Sequence, residues 1–418
     1  MKPLCRTGAA LFFSLLFILT GCGHSTLHRV PAKPAPVQTN EFAAQMAEIS
    51  RTPWTSGNSV RTLVNGDGFF PPMLRAAAGA KRSITFECYT ARDCEPVAEF
   101  SRILAEKAKA GVQVHVTLDA FGCWPWGDHH IEAMKKAGVH FKLYSPFNFF
   151  LPLNYNHRTH RRVLVVDGRV GFCGGAGWAY NWTGNAQDPT HWRDTQYELR
   201  GPVVAHLQDN FNDNWEELTG RRLCGDGCYP PPARAGNTVA QMVAGSPFKR
   251  GDTIGASNLL AIRAARKSIL MEHSYFLPNA EFTKALRDAA ARGVRVEIII
   301  PGEITDMPFA KEITHGTLRT MMNEGISIYE YQPTMMHGKL LVVDDHLVIA
   351  GSGNLDSRSF YLNDENNLHV LDSAVAREQR RMFERDRAKS IPLSEETLKL
   401  PIWRRARGFF GHATKFLL

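Results

Sequence analysis

The sequence predicts an α/β fold of two tandem halves related by a pseudo-twofold axis, and three observations carry that prediction. The chain has 418 residues, of which 44% are hydrophobic, which is enough for two domains with a sizeable core each. Ala80-Lys81-Arg82-Ser83-Ile84-Thr85-Phe86-Glu87 returns as Ala265-Arg266-Lys267-Ser268-Ile269-Leu270-Met271-Glu272, and Lys109-Ala110-Gly111-Val112-Gln113-Val114 as Ala291-Arg292-Gly293-Val294-Arg295-Val296. In each half, short β-rich runs alternate with Ala-, Glu- and Lys-rich helical stretches such as Val97–Ala110 and Ala280–Arg292, each stopped by a glycine. That alternation implies parallel α/β units. The halves are expected to sit face to face, with a shared site in the groove between them.

In chain order, Lys2 and Arg6 precede an apolar run from Ala9 to Leu19. A bilayer span takes about 20 helical residues, so this shorter run reads as a secretory signal over residues 1–21. Leu19-Thr20-Gly21-Cys22 resembles a bacterial lipoprotein box, which implies cleavage before Cys22 and lipidation of its thiol. Gly23 at the next position implies, in a Gram-negative host, the periplasmic face of the outer membrane. Pro31, Pro34 and Pro36 among small and polar residues predict an extended tether over 22–45. Two domains at 46–240 and 241–390 follow, then a basic amphipathic tail at 391–418. In that tail Trp403, Arg404, Arg405, Phe409 and Phe410 suit a bilayer interface.

Cysteines 88, 94, 123, 173, 224 and 228 remain after the signal and Cys22 are set aside. In an oxidising compartment they can pair, and Cys224-Gly225-Asp226-Gly227-Cys228 is the expected local bridge because its glycines permit tight closure. Cys88 and Cys173, in strand-like runs, read equally as buried free thiols. No metal cluster is expected: His129 and His130 are adjacent, and adjacent side chains diverge on a helix. Lys and Arg outnumber Asp and Glu by 49 to 41, a net charge of +8 that suits an anionic partner such as phospholipid or nucleic acid.

The chemistry sits in the most specific repeated feature. His337-Gly338-Lys339-Leu340-Leu341-Val342-Val343-Asp344 precedes Gly351-Ser352-Gly353-Asn354, and His160-Arg161-Arg162-Val163-Leu164-Val165-Val166-Asp167 precedes Gly174-Gly175. Residues two apart on a strand share a face, so His337 with Lys339, and His160 with Arg162, present an imidazole beside a cation. A phosphodiester reaction needs both: the cation offsets charge on the non-bridging oxygens, and the imidazole serves as nucleophile or proton donor. Parity turns Asp167 and Asp344 off that face, as structural orienters.

His337, Lys339 and Asp344 make the H-x-K-x-x-x-x-D motif, and on it the chain resembles the phospholipase D superfamily over roughly residues 60–390. It is most similar to the bacterial cardiolipin synthase branch through Asn65-Gly66, Asp119-Ala120-Phe121-Gly122, Trp192-Arg193-Asp194, Gly201-Pro202-Val203 and Asn354-Leu355-Asp356-Ser357-Arg358-Ser359. The resemblance implies two tandem phospholipase D-like α/β/α sandwich domains and a two-step displacement that uses no cofactor and no metal. One imidazole, by analogy His160, attacks phosphorus, and the other, His337, protonates the leaving alcohol; the roles could be reversed. Asp194 and Glu365 are implied to orient the opposite imidazoles, and Ser352, Asn354 and Gly175 to bind phosphate. Two departures stand out: Arg162 replaces the family's Lys, and Gly177 stands where Asn is expected.

The acceptor decides the product. Water would make the protein a phospholipase, and a lipid hydroxyl a cardiolipin synthase that joins two phosphatidylglycerols and releases glycerol. A superfamily nuclease and an inactive lipid-binding scaffold are further readings, though no aromatic-plus-basic stacking module marks a nucleic-acid reader. Phe121, Trp124 and Trp126, and Phe147, Phe149, Phe150 and Leu151, suit a rim facing a membrane surface, or equally a core.

Overall fold

A computed structural model of the chain describes residues 27–149, 156–247, 249–307, 310–394, 396 and 398. The signal, Cys22, Phe150, Leu151 and the tail from 399 on lie outside the described residues. The first half contributes β1 (Thr55–Val64), β2 (Ser83–Cys88), β3 (Gln113–Asp119), β4 (His140–Tyr144), β5 (Arg158–Thr159), β6 (Val163–Val166), β7 (Val170–Gly174) and β8 (Thr195–Arg200). The second contributes β9 (Thr238–Gly245), β10 (Ser268–His273), β11 (Arg295–Pro301), β12 (Ser327–Tyr331), β13 (Lys339–Val343), β14 (Leu347–Gly351), β15 (Asn363–Leu371) and β16 (Ser390–Pro392).

These strands form one sheet in the order β16-β12-β11-β10-β13-β14-β15-β9-β1-β8-β7-β6-β2-β3-β4. The order reads the same from the β1–β9 junction outward: β8, β7, β6, β2, β3, β4 on one side match β15, β14, β13, β10, β11, β12 on the other. The duplication is thus a real pseudo-twofold whose axis passes between β1 and β9. Within each half the β2–β3–β4 and β10–β11–β12 ladders are parallel and the inner pairings antiparallel. The face-to-face expectation is corrected here, since the halves join at a strand edge, through antiparallel β1 and β9.

Both faces of the sheet are covered, which explains the unbroken apolar runs Val163–Val166 of β6 and Leu340–Val343 of β13. In β10, Ile269 and Met271 face the helices Thr253–Ala264 and Ala280–Ala291, while Leu270 between them faces a core shared by both halves. That shared core also takes Leu207 and Phe211 of the helix Val203–Thr219 and Met382 and Phe383 of the helix Ser373–Arg387. The first half has its own outer core, with Phe86, Phe100 and Trp126 among its members.

Two expectations fail locally. The proline-rich stretch read as a tether is packed from residue 27 on: Val30, Val37 and Phe42 are buried against the second half's outer core. Arg263 and Arg266 donate to the carbonyls of Val30 and Pro34 at 2.8 and 2.7 Å, using backbone groups that prolines leave outside any ladder. Thr39 then caps a helix over Asn40–Ser50. The Cys224–Cys228 bridge is also absent, and all six cysteines among the described residues are free. The turn at Gly225 (φ +88°) carries Cys228 inward while Cys224 stays exposed. Cys88 and Cys173 are buried thiols.

Candidate active site

Each motif's aspartate closes a tight hairpin. Asp167 and Gly168, and Asp344 and Asp345, all have positive φ in the three-residue connections between β6 and β7 and between β13 and β14, which the Arg169 and His346 N–H groups close on the Val166 and Val343 carbonyls. The aspartate side chains then accept the backbone N–H groups that open the neighbouring strand: Asp167 from Lys81, Arg82 and Ser83, Asp344 from Arg266, Lys267 and Ser268, all at 2.7–3.1 Å. They hold β2 against β6 and β10 against β13, and so fix the strands that carry the histidines.

Each histidine is held by the other half of the molecule. His160 N–H donates to the Asp364 carbonyl of β15 at 2.8 Å, and β5 pairs with β15 beside it. His337 N–H donates to the Arg193 carbonyl at 2.8 Å, next to a bridge between Arg193 and Met336. The side chains cross in the same way. His160 Nδ1 lies 2.9 Å from Glu365 Oε2, and His337 Nδ1 lies 2.6 Å from Asp194 Oδ2. Both carboxylates are fully buried behind the imidazoles. Asp194 also accepts from Trp182 Nε1 and the Thr195 N–H, and Glu365 from the Ser352 and Ser359 hydroxyls.

The cations stand where the motif requires. Lys339 Nζ is 3.1 Å from His337 Nε2 and donates to Ser274 Oγ and the His337 carbonyl, both at 2.8 Å. Arg162 Nη2 is 3.2 Å from His160 Nε2, and Nη1 donates to the His160 carbonyl. Arginine therefore reaches the position lysine occupies in the second half. Burial, with Lys339 second, depresses the His337 imidazole; burial, with Arg162 second, brings His160 down to about 4. Burial also lowers the Lys339 ammonium to about 7, against the pull of Asp194.

His160, Arg162, His337 and Asn354 line one groove of about 560 Å³. Its aromatic wall escaped the sequence reading. The Tyr89 ring packs 4.9 Å from His160 and under the Arg162 guanidinium; Tyr275, Trp182 and Trp192 surround His337 at 5.2–6.0 Å. The repeat holds the signal: Tyr89 and Tyr275 follow the matching β2 and β10, with Tyr275 displaced by one residue. Asp306 and Arg358 also line the groove.

Two expected phosphate ligands lie elsewhere. Ser352 is fully buried, donates its hydroxyl to Glu365 and accepts the Asn366 N–H, because the pairing of β14 with β15 turns it behind His160. Gly175 lies beside Asp194, where a Cβ would come 2.5 Å from Oδ1; it makes room for the carboxylate. The aromatic segments divide: Phe121, Trp124, Phe147 and Phe149 are exposed, and Trp126 is core. His129 and His130 do not diverge as expected, since their rings converge to 3.9 Å between centroids. Among the described residues, no helix is long and apolar enough to cross a membrane.

A family model described as cardiolipin synthase, phospholipase D-like domain, matches residues 73–215 and 259–387. Cardiolipin synthase A of Pseudomonas aeruginosa is 32% identical over 352 residues, which are 84% of this chain and 71% of that protein. A cardiolipin synthase of Geobacillus kaustophilus is 33% identical over 330 residues, 78% of this chain and 66% of that one. Among solved structures, phosphatidylserine synthase of Haemophilus influenzae superposes with a TM-score of 0.69 at 14% identity, over 91% of this chain and all (100%) of that one. Polyphosphate kinase of Porphyromonas gingivalis gives 0.54 at 15% identity, over 86% and 53%. These two likenesses concern the fold. The family match takes in most of both halves, and the chain belongs to the phospholipase D superfamily, among its cardiolipin synthase-like phosphatidyltransferases.

Proposed function

We propose that the protein joins two phosphatidylglycerol molecules into cardiolipin and releases glycerol, through a phosphohistidine on His160. The observation that carries this reading is the crossed pair of imidazole–carboxylate contacts opening on one groove. His160 is suited to attack. With a pKa near 4 it is neutral at pH 7, and Glu365 takes its Nδ1–H, so Nε2 keeps a lone pair, which accepts from Arg162 Nη2 until the substrate phosphate takes the guanidinium. Its Nε2 attacks phosphorus as the bond from phosphorus to the glycerol oxygen breaks. His337, with Lys339 as a nearby proton source near pKa 7, gives a proton to that oxygen. The terminal hydroxyl of a second phosphatidylglycerol returns a proton to His337 and attacks phosphorus, breaking the P–N bond. Atoms balance: two phosphatidylglycerols become one cardiolipin and one glycerol.

Arg162, Lys339 and Asn354 supply cationic and amide donors to the non-bridging oxygens, where charge grows in both transition states. Asp167 and Asp344 keep the strands in register, and Ser352 and Gly175 serve the two orienting carboxylates. The exposed Phe121, Trp124, Phe147 and Phe149 favour a lipid acceptor over water, because exposed aromatic rings suit a bilayer interface and Phe121 lines the groove. Export with a lipid anchor on Cys22 completes the reading; the expected domain boundaries at 45/46 and 240/241 fall inside the helix Asn40–Ser50 and inside β9, so each moves to the loop before that element.

The test is to trap the intermediate. His337→Ala protein is mixed with phosphatidylglycerol vesicles, quenched and digested, and the peptides are weighed. The expected result is a phosphatidyl adduct on the peptide holding His160. An adduct on His337 in the His160→Ala protein, with none on His160, would overturn the assignment.

A further inference from the structure

We propose that Asp93, His129 and His130 form a binding site for a divalent transition-metal ion of the zinc type, at the mouth of the groove and apart from His160 and His337. Asp93 ends the loop from β2 into the helix Glu95–Lys109, and His129 and His130 open the helix Asp128–Lys136. Consecutive side chains on a helix point about 100° apart, so neighbours ordinarily diverge. Here the two rings lie 3.9 Å apart between centroids with planes tilted by 40°. Gly127 makes this possible. Its φ is +103°, and a Cβ there would come 3.1 Å from His129 Cε1 and 3.2 Å from His130 Cδ2.

The carboxylate faces both rings. His130 Nε2 is 3.1 Å from Asp93 Oδ1, and His129 Nε2 is 3.9 Å from Asp93 Oδ2. The second distance is too long for a hydrogen bond, so hydrogen bonding to Asp93 does not account for the position of His129. One ligand atom from each residue lies within 4.8 Å of the others, close enough for small side-chain rotations to bring all three to about 2.0–2.2 Å from one ion. Two imidazoles with one carboxylate suit zinc and its neighbours and are poor ligands for magnesium or calcium. Three protein ligands leave a fourth position for water or an oxygen of a bound molecule.

The placement gives the ion work to do. The Asp93 N–H donates to the Pro125 carbonyl at 2.7 Å, so the two loops already lie side by side. Arg92 on one loop and Gly122 and Pro125 on the other line the groove. An ion on Asp93, His129 and His130 ties these loops together and stiffens one wall of the active site. Asp93 and His129 side chains are 52% and 68% exposed, which gives the ion free entry.

The test uses full-length protein in detergent, free of any polyhistidine tag and stripped with chelator. Zinc is titrated in a calorimeter, and cobalt is followed by its visible absorption. The expected result is one equivalent bound at micromolar or tighter affinity. His129→Ala and Asp93→Asn should each weaken it by at least about tenfold, since even the outer partners of metal ligands are worth about 10–100-fold. His191→Ala, which disrupts a His–Asp pair joined by no third ligand among the described residues, and His337→Ala should leave it unchanged. Absence of a saturable equivalent up to millimolar zinc would overturn the proposal, as would an equivalent that survives in the His129→Ala/His130→Ala protein. Circular dichroism confirms the fold of each variant, and His129 is exposed enough for its removal to leave packing intact.

Discussion

Glu365→Gln and Asp194→Asn are near-isosteric changes that separate the two imidazoles. Each removes one buried negative charge behind a histidine while keeping an oxygen able to accept from Nδ1–H. At about 4 Å between charges and an effective dielectric constant of about 20, the carboxylate is worth about 4 kcal/mol to a cationic imidazole; the retained neutral hydrogen bond offsets part of this. The net loss is about 2–4 kcal/mol wherever the imidazole carries positive charge, a factor of about 30 to 1,000 in rate. With phosphatidylglycerol both variants should fall within that range. They should part company on a phosphodiester whose leaving group is an acidic phenol, because such a group departs without a proton. Asp194→Asn, which weakens His337 as the acid, should then recover to within about tenfold of the unmodified protein. Glu365→Gln, which weakens the phosphohistidine itself, should stay slow. The assay is single-turnover release of the phenol beside steady-state turnover of the lipid. Equal behaviour of the two variants on both substrates, or recovery of Glu365→Gln alone, would refute the division of roles.

Ser352→Ala tests whether this hydroxyl serves Glu365 rather than phosphate: kcat should fall about tenfold, the worth of one hydrogen bond to a charged group, with KM unchanged, and a raised KM would place Ser352 on substrate. Lys339 sets a pH dependence. Its pKa near 7 lies below its ordinary 10.5, so the folded protein binds fewer protons than the unfolded chain between these values. This group's contribution to stability therefore rises with pH from about 7 to about 10.5, and the penalty for burying its charge is full below 7. Tungstate, as a phosphate mimic, should bind with uptake of about one proton at pH 8, measured by calorimetry in buffers of different ionisation heat; no uptake would contradict a neutral Lys339. Arg162→Lys should keep activity within about tenfold, as the Lys339 ammonium occupies the equivalent position in the second half, and Arg162→Met should lose at least about a hundredfold. Loss of activity in Arg162→Lys as complete as in Arg162→Met would show that the guanidinium fork itself is required.

The duplication and the paired motifs were legible because both are local patterns. AKRSITFE against ARKSILME aligns β2 with β10, and the two His-x-(Arg/Lys) steps mark the chemistry directly. Asp167 and Asp344 were also readable, since strand parity turns them away from the histidines and toward the backbone they cap. What depended on distant partners was not readable. The β1–β9 junction follows from strand edges meeting, which no local pattern encodes. Ser352 faces Glu365 only because β14 pairs with β15 in one register. The proline stretch packs because Arg263 and Arg266, more than 200 residues away, take its carbonyls. His129 and His130 converge because Gly127, just before the helix, has no Cβ to keep their rings apart.

The most direct test of the central claim is mass spectrometry of lipids after incubating the purified protein with phosphatidylglycerol vesicles, beside His160→Ala and His337→Ala. Cardiolipin with an equal amount of glycerol, lost in both variants, is the predicted result. Phosphatidic acid without cardiolipin would make water the acceptor and contradict the transferase, and cardiolipin that persists in either variant would contradict the shared two-histidine site.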